Sequence, residues 1–254
     1  MATTRDNCII LLIETPVPER LAPELIAAFG PDRAAHINLD LLQNAYKLAK
    51  NFKDAILILS YDKTPKHPDL TWLDNDDPGF LQAKGKSSEE RISDAFRLAF
   101  NTGGKKALII NHLSPAIKPD WLCQAFETMT DKNIVLGLNQ TGTLYLAGAA
   151  CANMKALEGL RFSPAKAAEE TAEKARKAKL SVFQLPEAYA VENEETLRKW
   201  LDARESAPSV FMKEPVKPAA APISPAQPRQ EDKKHGRRPS KPAPAQPPLP
   251  GTQQ

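Results

Sequence analysis

No signature that marks a chemistry by itself occurs in this sequence: there is no Walker-type GxxxxGK[ST] loop, no GxGxxG turn, no GxSxG elbow and no HExxH helix. Long apolar runs are missing too. The run nearest the start, Cys8 to Ile13, has six residues and is followed by Glu14, too short for a signal peptide or a membrane span. Cysteine is scarce. Cys8, Cys123 and Cys151 lie far apart, fitting neither a disulfide framework nor zinc-ligand spacing, so reduced thiols in a cytoplasmic protein are expected. The four histidines, His36, His67, His112 and His235, are isolated from one another, and surface roles are expected for them. Only His112 falls at a place where chemistry would be sought.

Proline is abundant but uneven, with 12 of its 23 residues after position 205. Residues 206–254 hold Phe211 as their one aromatic residue and cannot bury enough apolar surface to offset ordering entropy, so a disordered tail of polyproline II character is expected. That tail has eight Lys or Arg against three acidic residues. The chain as a whole is +3, so residues 1–205 carry −2 and the basic balance belongs to the tail. By charge the body is no nucleic-acid binder. About 200 residues suffice for one domain burying roughly 70% of its unfolded surface, without disulfide or metal staples.

Within the body the periodicity alternates. Cys8–Ile13 reads as a central strand, and Ile37, Leu41, Leu42, Ala45, Leu48, Ala49 and Phe52 form one helical stripe after a loop that reaches Gly30. Residues 55–60 are a second strand, with a further short one expected at Leu70–Leu73. The acidic DNDDPG at 74–79 reads as a turn, because Pro78 stands where a calcium ligand would be needed and no Glu closes the loop. Ser87 and Glu90 have capping-box spacing ahead of an apolar face at Ile92, Ala95, Phe96 and Ala99. A strand at 107–110, a helix from Pro119 to Met129 and a hairpin over 133–150 come next. A helix capped by Ser163 and Pro164 and reaching about Lys179, a strand at 181–185 and a helix over 193–205 close the body. This order predicts an α/β fold, a Rossmann-like three-layer arrangement on a mostly parallel sheet with one antiparallel element.

In such sheets ligands bind at the carboxyl ends of the strands. The loop after strand 107–110 therefore draws notice for what it offers: Asn111, His112, Leu113 and Ser114, where a carboxylate would serve a metal or a ribose.

Several short stretches, taken together, resemble a known family. Pro16 and Arg20-Leu21-Ala22-Pro23 follow the first strand; Gln82 precedes Glu90 and Arg91; Ser114 and Pro115 follow a strand; Val135, Leu136, Gly137, Gly142, Tyr145, Leu146 and Gly148 mark the hairpin; and LPEAYAVENEETL ends the pattern. In this order they resemble a bacterial glycosyltransferase A-like (GT-A) family of unknown function, related to nucleotide-diphospho-sugar transferases and molybdopterin-type nucleotidyltransferases, over residues 7–201. The resemblance implies the mixed sheet of those transferases, a nucleotide or nucleotide-sugar ligand, and Mg²⁺ or Mn²⁺ held by carboxylates. Against that pattern the loop carboxylate falls on Leu113, the second Asp on Thr141 and the C-terminal Asp pair on Ala190 and Glu192, while the glycine and lysine of the first loop are missing.

The family's metal ligands thus look lost, and the expectation is a degenerate member, a pseudoenzyme serving as a binding or structural module, with no cofactor. The competing reading is an active nucleotide-sugar or nucleotidyl transferase with a rebuilt, metal-independent site in which Arg20, His112, Ser114, Asn139, Gln140 and Thr141 contact the nucleotide. A third places binding in the tail, where KKHGRRPSK would meet RNA or another anionic partner and PAPAQPPLP a protein groove.

Overall fold

The computed structural model describes residues 6–15, 17 and 20–206. Pro16 and the proline-rich tail from residue 207 onward lie outside the described residues. Seven strands form one sheet: β1 (Asn7–Glu14), β2 (Ile56–Asp62), β3 (Leu81–Gln82), β4 (Lys106–Ile110), β5 (Asn133–Leu138), β6 (Leu144–Ala150) and β7 (Ser181–Gln184). Their spatial order is β3-β2-β1-β4-β6-β5-β7. Only β6 runs against its neighbours, β4 and β5; the remaining pairs are parallel. This is the mixed α/β sheet that the alternating periodicity and the hairpin led one to expect.

Side-chain alternation along β1 sorts the core into two layers. Ile9, Leu11 and Ile13 face one cluster with α2 (Pro31–Asn51) and α4 (Pro119–Thr128). Cys8 and Ile10 face the other, with α3 (Ser88–Asn101), the 3-10 segment Cys151–Leu157 and α5 (Ala167–Lys177). A third cluster joins α1 (Pro23–Phe29), the start of α2 and α6 (Glu194–Ser206) through Leu21, Leu25, Ile37, Leu41, Val191, Leu197 and Trp200. The capping box forms as its spacing requires: the Ser87 hydroxyl accepts from the Glu90 amide at 3.3 Å, while the Glu90 carboxylate reaches back to the Lys86 amide at 2.7 Å.

Four local expectations need correction. Leu70–Leu73 is a turn, not a strand. Leu70 and Leu73 are nonetheless buried, since the amide of Leu73 bonds to the Leu70 carbonyl at 2.9 Å and brings both side chains onto the core. The expected loop before Gly30 contains α1, which Pro23 opens at a position where its missing N–H costs nothing. Gly30 then joins α1 to α2 with φ 79°, a backbone state that side chains resist. Ser163 is not a helix cap, because Pro164 lies in a turn whose carbonyl accepts from Ala167, and α5 starts only there. The short β3 and the 3-10 segment also went unforeseen, as each is too short to show a period.

The acidic DNDDPG is indeed a turn. Asp74 takes the Asp76 amide at 3.1 Å, the Tyr46 hydroxyl at 2.8 Å and the Lys50 ammonium at 2.7 Å. Those partners, Lys50 foremost, hold its carboxyl down to about 2.

Candidate functional site

The order of the sheet identifies where a site belongs. Chain leaving β1 returns to β2 on one side and, through α3, to β4 on the other, so the carboxyl end of β1 is the point where the strand order reverses. Glu14, Asp62 and Asn111 stand at or just past the ends of β1, β2 and β4. Asn139 follows β5 at the same edge, opposite the start of the antiparallel β6.

Past β4 the chain is held by hydrogen bonds from Asn111 and Ser114. Asn111 extends the sheet through its amide to the Tyr145 carbonyl at 2.8 Å, and its side-chain oxygen accepts from the Leu113 amide at 3.1 Å. Ser114 donates to the Asn139 side-chain oxygen at 3.0 Å, with both residues buried. Asn139 in turn donates to the Thr143 hydroxyl at 3.0 Å, which lies 3.1 Å from the Thr141 hydroxyl. Buried polar groups in low dielectric are stable only when paired in this way. Beneath the turn, Tyr145 is fully buried and donates to the Pro186 carbonyl at 2.8 Å. Its ring covers Gly137, where a Cβ would come within 2.3 Å of the ring carbon Cζ.

His112 is half-buried as a residue, yet its Nε2 is enclosed without a hydrogen-bond partner. Burial pushes its pKa down to about 4, so the ring is neutral at physiological pH.

The positions where the resemblance implies carboxylates converge in space. The Leu113 carbonyl accepts from the Val191 amide at 2.8 Å, which brings the loop after β4 against residues 190–192. Leu113 packs on the cluster of Leu21, Leu25, Val191, Leu197 and Trp200. Ala190 is buried, and Thr141 is exposed with its hydroxyl engaged by Thr143. Glu192 carries a carboxyl whose pKa is raised by burial and then by Glu24. Hard divalent cations take several charged or carbonyl oxygens. A methyl, an isobutyl group, an engaged hydroxyl and one carboxyl are too few charged oxygens to fit Mg²⁺ or Mn²⁺. Among the described residues, no three His, Cys, Asp or Glu side chains group as a metal site would.

Arg20 lies in a different constellation. Glu14 pairs through one carboxylate oxygen with Arg91, from the first turn of α3, and through the other with Arg20 at 3.6 Å; Arg20 continues to Asp62 at 3.2 Å. Ser114, Asn139 and Thr141 therefore share one network, with exposed Gln140 tied to it by its amide to the Ala188 carbonyl at 3.0 Å. Arg20 belongs instead to the β1–β2 end, and His112 shows no hydrogen bond to either group. The role of Glu14 was not foreseen. Its one signal was a charge closing an otherwise apolar central strand.

No curated protein matches the sequence. Among solved structures, a candidate nucleotide-diphospho-sugar transferase from Desulfovibrio desulfuricans G20 is 22% identical with a TM-score of 0.67, the match covering 80% of this chain and 89% of that one. A nucleotidyl transferase from Methanothermobacter thermautotroptrophicus matches at 10% identity and TM-score 0.53, over 78% of this chain and 96% of that one. A 4-diphosphocytidyl-2C-methyl-D-erythritol synthase from Anaerococcus prevotii matches at 9% and 0.51, over 81% and 99%. At such identities the likeness is one of fold. Residues 45–164, somewhat under half of the chain, match the family model described as "Uncharacterized protein conserved in bacteria (DUF2064)", and the fold is similar to that of the nucleotide-diphospho-sugar transferase structure.

Proposed function

We propose that this protein is a degenerate GT-A-like domain, one that has given up metal-dependent transfer and acts as a binding or structural module. The observation that carries the reading is the placement of Leu113 in the apolar cluster with Val191, Leu197 and Trp200. That loop contributes packing where the family resemblance implies a charged ligand. Ala190, joined to the same loop through its neighbour Val191, is buried and likewise offers no charged oxygen where the resemblance implies one. Without carboxylates to hold a cation, the loop after β4 has no charge of its own to offset that of a nucleoside diphosphate leaving group. The fold still supplies a strand-end edge of the sort that takes nucleotides, so a nucleotide or nucleotide sugar, bound without metal, is the ligand class to test.

Release of nucleoside diphosphate from uridine and guanosine diphosphate sugars, followed with Mn²⁺ and with chelator, tests this. No metal-stimulated release is expected. Release that rises with Mn²⁺ and disappears on chelation would establish an active transferase and end the reading.

A further inference from the structure

The ion pairs at the end of β1 are arranged as though around a bound anion, with a carboxylate of the chain itself in the anion's place. Arg91 and Arg20 come from separate segments, the first turn of α3 and the loop before α1, yet each meets a different oxygen of Glu14. The Arg91 side chain is only 11% exposed, so its charge is largely withdrawn from water and requires a partner. Arg20 and Glu14 are more open, at 43% and 30%, which leaves the constellation reachable from solvent. Asp62 lies opposite Glu14 in the parallel register of β1 and β2 and takes the remaining reach of Arg20. Two guanidinium groups thus meet two carboxylates. An external oxyanion would find no net positive charge here.

Further polar groups stand close to Glu14 and Arg91 along the chain. The loop before α3 approaches the helix so closely that a Cβ on Gly85, with φ 129°, would lie 2.6 Å from the Glu90 Cβ and 2.9 Å from the Arg91 amide nitrogen. Lys84 and Lys86 flank Gly85 and are exposed, with no carboxylate partner among the described ion pairs. Thr15, next to Glu14, holds a buried hydroxyl with no hydrogen-bond partner.

We propose that Glu14 is a specificity-determining residue, an internal counter-ion that occupies a two-arginine oxyanion receptor and keeps phosphate-bearing ligands from the end of β1. Its removal opens the receptor to a phosphate or diphosphate group, with Arg91 as the inner ligand and Arg20 as the outer one. This inference concerns the β1–β2 end of the edge and does not depend on the state of the positions around Leu113.

The test is metal-free calorimetry with inorganic pyrophosphate, chelator present, on the full chain. The wild type is expected to bind weakly or not at all. Glu14→Gln should bind at least about tenfold more tightly, since two charge-assisted donors are released, and adding Arg91→Ala should abolish the gain. Glu14→Thr, which suits a strand end, serves if Glu14→Gln does not fold, and a thermal melt establishes folding for each. Micromolar pyrophosphate binding by the wild type overturns the proposal without reference to any variant. A folded Glu14 variant with no gain, or a gain that survives loss of Arg91, also overturns it. Mn²⁺-dependent nucleotide-sugar binding by the wild type would instead count against the proposed function and leave this inference standing.

Discussion

At position 113 a half-buried isobutyl group packs on the apolar cluster that holds Val191, Leu197 and Trp200, so Leu113→Asp places a carboxylate against that cluster. A destabilisation of roughly 2 to 4 kcal/mol is expected from stranding that charge, measured by denaturant unfolding. A neutral effect would mean that the loop lets the side chain turn to solvent. Placing a carboxylate at 113 therefore costs stability before any metal could bind, which the sequence did not reveal because Leu113 and Val191 lie far apart along the chain. Tyr145 is fully buried over Gly137, and Tyr145→Ala should cost roughly 3 kcal/mol or more through the cavity it leaves. His112 gives a pH signature. Its folded pKa of about 4 lies below the ordinary value of 6.5, so the unfolded chain binds the extra proton between these values. Stability should then fall as pH drops from about 6.5 to 4, by up to roughly 3 kcal/mol, and His112→Gln should flatten that part of the curve. An unchanged slope in the variant would show that the ring nitrogen is solvated.

Among the elements, those with an unmistakable period were legible in the sequence. The α2 stripe, the capped α3 and the hairpin β5–β6 form where their apolar spacing put them. Ser87→Ala should cost about 1 kcal/mol by leaving the Glu90 amide without its acceptor; a loss below a few tenths would mean that water replaces the cap fully. What escaped was short or ambiguous. Seven residues of α1 hide among prolines, and Leu70 and Leu73 have an i,i+3 spacing that a turn brings to one side, whereas a strand would send them to opposite faces. The candidate site divides along the same line. Ser114, Asn139 and Thr141 could be grouped from the loops that follow β4 and β5 at the same sheet edge, and they do share a network. The pairing of Arg20 and Arg91 through Glu14 could not, because it depends on side-chain reach across three segments.

For the whole molecule, all three apolar clusters are assembled from residues between Cys8 and Trp200. A chain ending at Ser206 is expected to unfold cooperatively by circular dichroism, and a broad, non-cooperative melt would show that the core needs more than these residues. None of the helices among the described residues is long and apolar enough to cross a membrane. The mixed sheet retains the strand-end edge of the transferase-type fold, while residues 113, 141 and 190 present no charged oxygen there. Calorimetric titration of Mn²⁺ into the full chain, alone and with a uridine or guanosine diphosphate sugar, tests this account most directly. The prediction is no saturable heat from the metal and no tightening of nucleotide-sugar binding by it. Micromolar, metal-dependent nucleotide-sugar binding by the unmodified protein would contradict it, and would send the search for ligands to Asp62, Asp94 and Glu192.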